Sequence, residues 1–459
     1  MKKVCVQGLG FVGAAMSTAI ALATNDNGEL LYEVTGVDLP NEIGQNRINA
    51  INNGEFPFNT NDKNLSASLQ QAFEQGNIKA TIDSSVYSDV DIVVVDIQLD
   101  IPYLDDRPQL EFDGFKSAIR TLGRHIRPGT LILVETTVPP GTCEKIVVPV
   151  LHAELEKRGI DPESVYVAHS YERVMPGEDY FASITDYWRV FSGYTKDAGD
   201  ICEEFLSTVV NVDEFPLTRL SSTVASETAK VMENTYRAIN IAFIDEWTKY
   251  AESIGIDLFE VIDAIRKRPT HSNIRFPGLG VGGYCLTKDP TFAPAATEQL
   301  FDKKLNFPFS RLAVRVNHDM PLHTVARLNS LLDAPLAGKR LLICGVSYRQ
   351  DVGDTRYSPT ETLVRELVAQ KANVTCHDPY VTYWDELDIN LPLQLPKSVG
   401  FDAVIFSVPH KQYCNMDLAS WGSGVPLILD ANCVFNSGQR ESARNRGIRV
   451  ESIGRGDGL

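Results

Sequence analysis

A strand, a glycine turn, a helix and a second strand follow one another over residues 4–38, and this run narrows the possible folds more than any other stretch. Val4-Cys5-Val6 is a short β-prone run, Gly8-Leu9-Gly10-Phe11-Val12-Gly13 a G-x-G-x-x-G turn, AAMSTAIALA a helix of small residues, and Glu33–Val37 a strand ending at Asp38. The first two glycines permit a tight turn and the close approach of a pyrophosphate to the helix N-terminus, and the third lets helix and strand pack. An acid at the end of the second strand accepts hydrogen bonds from an adenosine ribose. A merely tight βα turn is the plain alternative, but the complete setting points to a dinucleotide held by Gly8, Gly10, Phe11, Val12, Gly13 and Asp38. Leu39-Pro40-Asn41 follows with no arginine to meet a 2′-phosphate, which favours NAD over NADP.

The βα rhythm continues. Residues 91–96 and 130–135 are short apolar runs of the kind buried on both faces of a parallel sheet. Ligands gather at the carboxyl ends of such strands, so the loop Thr136-Thr137-Val138-Pro139-Pro140-Gly141-Thr142 stands where it can meet the cofactor; alone it would read as a Pro-Gly turn. A strand over Val165–Ala168 leads into His169-Ser170-Tyr171-Glu172-Arg173-Val174-Met175-Pro176-Gly177, where Glu172 and Arg173 either touch substrate or form a surface ion pair.

From Ser221 to Gly255 the pattern is one long helix, with Glu227, Lys230 and Asn234 on one face and Asn240, Asp245 and Glu246 further along. That face is either a solvated stripe or a pair of donors, Lys230 and Asn234, aimed at a developing oxyanion. Helix resumes at Asp257–Arg268 before FPGLGVGGYCLTKDP, residues 276–290. Gly278, Gly280, Gly282 and Gly283 run straight into Cys285, with Lys288 and Asp289 behind it. Glycines allow close approach to a ligand, and a lysine near a thiol lowers its pKa, so the stretch reads as a covalent-catalysis loop. The bland alternative is a glycine-rich surface loop with an incidental cysteine. Beyond a boundary near Leu332–Gly338 a second α/β unit begins, with strands expected at Arg340–Cys344, Asn373–Cys376, Asp402–Val408 and Pro426–Asp430, and a helix at Thr360–Lys371. The C-terminal GIRVESIGRGDGL reads as a last strand and a loose tail.

A chain of 459 residues is too long for one core. The expected division is an NAD-binding Rossmann domain at 1–212, a central helical domain at 213–332 and a Rossmann-like domain at 333–459. No apolar run approaches the ~18–20 residues of a membrane span, and MKKVCVQGLGFVG lacks an apolar h-region, so a cytoplasmic protein is expected. A net charge of −17 disfavours nucleic acid, and any anionic ligand needs a local cluster of cations and N–H groups. The eight cysteines are scattered with no C-x-x-C, against a zinc site or disulfide framework; seven of them are expected to be packing residues.

Taken together, GLGFVG, ETTVPPGT, YERVMPG, ETAKVMENTYRAINIAF, GLGVGGYCLTKD and GVSYRQDVGDTRYSP resemble, in order and spacing, the nucleotide-sugar 6-dehydrogenases, over roughly residues 1–435. The resemblance implies two Rossmann-like domains joined by a central helical domain with a long connecting helix. It also implies a homodimer or higher homo-oligomer, and four-electron oxidation of a sugar C6 alcohol to a carboxylate with two NAD, in polysaccharide biosynthesis. Carried over by position, Cys285 resembles the nucleophile, Lys230 and Asn234 the oxyanion-stabilising pair, Asp289 the carboxylate that activates water, and Thr137 and Glu172 the residues that position water and assist proton transfer. Thr137, Lys288 and Arg356 resemble further cofactor contacts. Glu172, Arg173, Val174, Lys230, Asn234, Phe276, Gly280 and Arg349 resemble substrate contacts. Glu172-Arg173-Val174-Met175-Pro176-Gly177 resembles the UDP-N-acetylhexosamine version of its motif, with UDP-glucose or GDP-mannose dehydrogenases as the alternative, or a non-catalytic nucleotide-sugar-binding protein. Three segments depart from the pattern. Val95-Asp96-Ile97-Gln98 replaces Val-Pro-Thr-Pro, Tyr284 stands where Ser or His is usual, and Asp430-Ala431-Asn432-Cys433 lacks an arginine that many members place there.

Overall fold

The computed structural model describes residues 1–99, 103–104, 107–174 and 177–458. It divides into two compact units, one of Met1–Glu233 with Thr291–Asn306 and one of Asn234–Pro290 with Phe307–Leu459.

In the first unit the strands are β1 (Lys2–Gln7), β2 (Tyr32–Val37), β3 (Ile78–Thr81), β4 (Ile92–Val95), β5 (Leu131–Val134), β6 (Tyr166–Tyr171), β7 (Val190–Gly193) and β8 (Thr218–Arg219). They form one sheet in the order β8-β7-β6-β5-β4-β1-β2-β3, and only the β6–β7 pair is antiparallel. Alternation explains why it is covered twice. Val4, Val6, Val94, Leu131 and Leu133 enter one apolar core, and Cys5, Val93, Val95, Ile132 and Val134 enter another on the opposite face.

β6 runs three residues further than its apolar run foretells, through His169, Ser170 and Tyr171, because pairing with β7 continues to Tyr171↔Val190. Ser170 Oγ donates to the Val190 carbonyl at 3.2 Å and His169 Nδ1 shares a 2.7 Å hydrogen bond with Ser226 Oγ, while His169 Nε2 is buried with no partner among the described residues. Burial holds the His169 imidazole neutral, its pKa lowered to about 3.

In the second unit β9 (Arg340–Cys344), β10 (Asn373–His377), β11 (Ala403–Phe406), β12 (Leu427–Asp430) and β13 (Arg449–Ser452) form an all-parallel sheet in the order β10-β9-β11-β12-β13. The last residues do not form a loose tail. Arg455 is buried, donates from Nε to Asp257 Oδ2 at 2.7 Å and lies 4.0 Å from the Phe259 ring centre, while Gly454 N donates to Glu252 at 2.7 Å. A hydropathy reading discards such a segment, since what buries it is an ion pair rather than an apolar side chain.

The long helix spans Thr223–Ile254, its end marked by Gly255 at φ +77°. Among the described residues no helix is long and apolar enough to cross a membrane, and no cluster of His, Cys, Asp or Glu fits a metal ion. Five cysteines are buried and Cys414 is half-buried, but Cys433 is exposed along with Cys285, so the expectation of seven packing cysteines fails at Cys433. A positive φ of 53° at Cys433 places that residue in a turn rather than in the core.

Candidate active site

The first unit presents its chemistry at the carboxyl edge of the sheet. Gly8 sits at φ +97°, and a Cβ there would lie 2.5 Å from the Asp96 carbonyl; one at Gly13 would lie 1.9 Å from the Gly8 carbonyl. A Cβ at Gly10, by contrast, meets no described atom within 4 Å. Two glycines therefore serve the turn and one leaves room above it. The helix that follows, Phe11–Ala21, has no side-chain cap and no acid in its first turn, so no negative charge in that turn repels an anion at the positive end of the helix. Phe11 stacks on Phe58 with ring centres 4.1 Å apart, and Val12 is half-buried beside it. These features fit the pyrophosphate of a dinucleotide.

Asp38 accepts from Leu9 N at 3.1 Å and from Leu39 N at 2.7 Å. It also accepts from Arg47 Nη1 at 3.2 Å, which corrects the expectation that no arginine stands at this position. Arg47 lies on helix Glu42–Asn52, nine residues beyond Asp38, too far along the chain for local sequence to pair them.

Thr136 Oγ1 donates to the Val95 and Ile97 carbonyls at 3.1 and 2.8 Å, pinning the loop on which half-buried Thr137 follows. The far end of that loop is held by Glu227, fully buried, whose carboxylate accepts from Gly141 N at 2.5 Å and Cys143 N at 2.8 Å. Burial raises the Glu227 pKa to about 7. This holding role was invisible in the sequence, where Glu227 is one more polar residue on a helix.

Lys230 is buried too, so the reading of a solvated stripe fails. Its Nζ donates to the Glu172 carbonyl at 2.6 Å and lies 3.6 Å from Glu172 Oε2, which also accepts from Val174 N at 2.7 Å. Glu172 and Arg173 do not pair with each other. Arg173 donates through Nε to both Glu233 oxygens at 3.1 Å, pairs with Glu233 again through Nη2, and donates from Nη1 to the Trp188 carbonyl at 2.7 Å. Met175 and Pro176 of the same motif lie outside the described residues.

The second unit holds the thiol. A Cβ on Gly280 would approach Pro359 to 2.7 Å, and one on Gly282 would approach Tyr348 to 2.6 Å; Gly283, at φ +78°, donates to the Arg356 carbonyl at 3.3 Å. Glycine is required because this loop lies against residues 348–359 with no space for side chains. Cys285 emerges from it exposed, and its carbonyl accepts from Asp289 N at 2.9 Å. Asp289 is fully buried between two donors, Asn234 Nδ2 on Oδ2 at 2.7 Å and Lys288 Nζ on Oδ1 at 3.1 Å. Lys288 also stands 4.4 Å from the Tyr284 ring centre. Phe276 is half-buried, stacked on Phe259 at 5.5 Å with Arg266 4.7 Å above its ring. Arg356 is exposed and chelated by Asp354 at 2.9 and 2.6 Å, which raises its pKa, whereas half-buried Arg349 has no ion-pair partner among the described residues.

Over 462 aligned residues the chain is 30% identical to a UDP-N-acetyl-D-mannosamine dehydrogenase of Methanocaldococcus jannaschii, covering 99% of this chain and 97% of that one. The chain belongs to the UDP-glucose/GDP-mannose dehydrogenase family. All three models of that family match in order: the NAD-binding domain at residues 2–208, the central domain at 224–319 and the UDP-binding domain at 342–437. The structure of a UDP-D-ManNAc dehydrogenase from Pyrococcus horikoshii superposes with a TM-score of 0.83 at 26% identity, with 99% of each chain covered. That of an NDP-N-acetyl-D-galactosaminuronic acid dehydrogenase from Methanosarcina mazei Go1 gives 0.80 at 27%, covering 99% of this chain and 95% of that one. As a member of the UDP-glucose/GDP-mannose dehydrogenase family, the protein is an NAD-dependent nucleotide-sugar dehydrogenase with α/β architecture, and a UDP-sugar is its substrate class.

Proposed function

We propose that this enzyme oxidises the C6 hydroxyl of a UDP-N-acetylhexosamine to the uronic acid through a covalent intermediate on Cys285. The observation that carries the reading is the exposed Cys285 thiol, delivered by a glycine loop whose next turn buries Asp289 between Asn234 and Lys288. Two relatives named for N-acetylmannosamine and one for N-acetylgalactosaminuronic acid support the choice of sugar.

In this reading two NAD molecules, bound one after the other, each take up one of the two hydrides that leave C6. Gly8, Gly10, Phe11, Val12, Gly13, Asp38 and Thr137 hold each in turn, with Lys288 and Arg356 as further contacts. Glu172 accepts the hydroxyl proton, or relays it through a water positioned by Thr137. Cys285 then adds to the C6 aldehyde, giving a thiohemiacetal, and Lys230 and Asn234 donate to the oxyanion. Loss of the second hydride leaves a thioester. Asp289 orients and deprotonates the water that cleaves it, and the thiol is released with the carboxylate. Arg349, with no ion-pair partner among the described residues, contacts the nucleotide part of the substrate. Arg173, Val174, Phe276 and Gly280 shape the remainder of the substrate site.

The proposed division into domains at 1–212, 213–332 and 333–459 assigns cofactor, connection and sugar nucleotide in turn. Exposed Tyr236, Phe243, Trp247, Tyr250 and Ile254 recur along one stripe of the long helix, supporting a second copy of the chain as its cover and hence a homodimer or higher homo-oligomer. Scattered cysteines with no disulfide among the described residues support the cytoplasm. NADH formation measured on UDP-N-acetylmannosamine, UDP-N-acetylglucosamine, UDP-glucose and GDP-mannose tests the reading. Highest kcat/KM on one of the two N-acetylated sugars is expected, and highest kcat/KM on UDP-glucose or GDP-mannose would overturn it.

A further inference from the structure

Asp96 and Glu135 are the next residues after the register pair Val95↔Val134 on adjacent parallel strands, so their side chains emerge side by side at the carboxyl edge of the sheet. Glu135 is buried and ion-paired through Oε1 to Arg189, itself 2% exposed. Two buried oxygens nearby, Asp96 Oδ2 and Glu135 Oε2, have no hydrogen-bond partner among the described residues. Buried carboxylate oxygens that lack donors, on residues that strand register makes neighbours, are what a shared proton leaves when both groups are drawn ionised, because a carboxylate can only accept.

The charges around the pair agree. Asp96 is faced by Glu135, Glu172 and Arg189, and Glu135 by Arg189, Glu172 and Lys230, with the Cys202 thiol packed behind. Arg189 balances Glu135, and Lys230, 3.6 Å from Glu172, balances Glu172. Among the described residues no further cation faces Asp96. Burial and the two neighbouring carboxylates hold the Asp96 carboxyl well above the ordinary carboxylate range. Its Cβ lies 3.2 Å from where a Cβ on Gly13 would stand, directly against the fingerprint turn.

We propose that Asp96 and Glu135 hold one proton between them, and that the neutral acid at Asp96 keeps the fingerprint turn receptive to the anionic diphosphate of NAD. Asp96 donates its O–H to Glu135 Oε2, which leaves Glu135 one negative charge for Arg189. It is a positioning residue. Removing the proton places an uncompensated charge beside the cofactor, and one such charge within about 10 Å at an effective dielectric of about 20 weakens binding on the order of tenfold.

The tests use Asp96→Asn, which supplies the same donor at every pH, and Glu135→Gln, which forces Asp96 to ionise against Arg189. Infrared difference spectra between wild type and each variant, taken at about pH 8, read the C=O band of a protonated carboxylic acid directly. Both substitutions should abolish one such band. NAD affinity of the apoprotein, measured by calorimetry across the pH at which the wild-type acid band disappears, should fall on the order of tenfold in wild type and stay level in Asp96→Asn. A wild-type spectrum with no acid band sensitive to either substitution, or an NAD affinity with the same pH dependence in wild type and Asp96→Asn, overturns the proposal. Neither readout depends on turnover, so failure of the covalent mechanism would leave both interpretable.

Discussion

Replacing Glu227 by glutamine should cost stability at acid pH and restore it at alkaline pH. The carboxyl is fully buried and its pKa is raised from 4.5 to about 7. Because the folded state holds this proton more tightly than the unfolded chain, stability present below the unfolded pKa is lost as pH rises through the folded value. A rise of about 2.5 units at ~1.4 kcal/mol each makes the loss about 3 kcal/mol between about pH 4.5 and 7. Glutamine stays neutral and does not incur that loss. It keeps one acceptor for the N–H groups of Gly141 and Cys143 but turns an NH2 toward the other, a mismatch of about 1–3 kcal/mol. In denaturant titrations the variant should therefore be about 1–3 kcal/mol less stable than wild type at about pH 5, and that deficit should shrink or invert by about 3 kcal/mol at about pH 8.5. A deficit equal at both pH values, within about 0.5 kcal/mol, would show that Glu227 is ionised throughout and refute the reasoning.

Asp38→Asn removes the charge that now occupies Arg47, so kcat/KM for NADP relative to NAD should rise about 10–100-fold, the worth of one hydrogen bond to a charged group; an unchanged ratio would mean that Arg47 does not reach a 2′-phosphate. If Lys230 stabilises the oxyanion, Lys230→Ala should lower kcat about 10²–10³-fold with a smaller change in KM, whereas a loss confined to KM would make it a binding residue.

The two sheets were readable because parallel strands buried on both faces must be short continuous apolar runs, and most expected strands lie within two residues of those observed. β6 was too short because His169 and Ser170 are polar yet buried, paired with Ser226 and β7 in ways local sequence does not encode. The tail was misjudged for a related reason, since Arg455 is buried by Asp257, 198 positions away. In the site, the glycine run before Cys285 was legible because tight packing leaves no alternative to glycine. Burial of Lys230, Asn234 and Glu227 was not, because helical periodicity marks a shared face without telling whether protein or water covers it. Asp96 could be seen only as a departure from a pattern; its neighbour Glu135, 39 positions on, becomes adjacent only through strand register.

The central claim is that Cys285 carries the sugar through the second oxidation, and steady-state formation of uronic acid by Cys285→Ser tests it most directly. Serine preserves size but is a far weaker nucleophile at neutral pH, and the ester it would form is slower to cleave than a thioester. The rate should fall by several orders of magnitude while NAD affinity stays within a few-fold, with aldehyde or a trapped ester detected by mass. Uronic acid produced at a rate within about tenfold of wild type, a barrier change of only ~1.4 kcal/mol, would contradict the account.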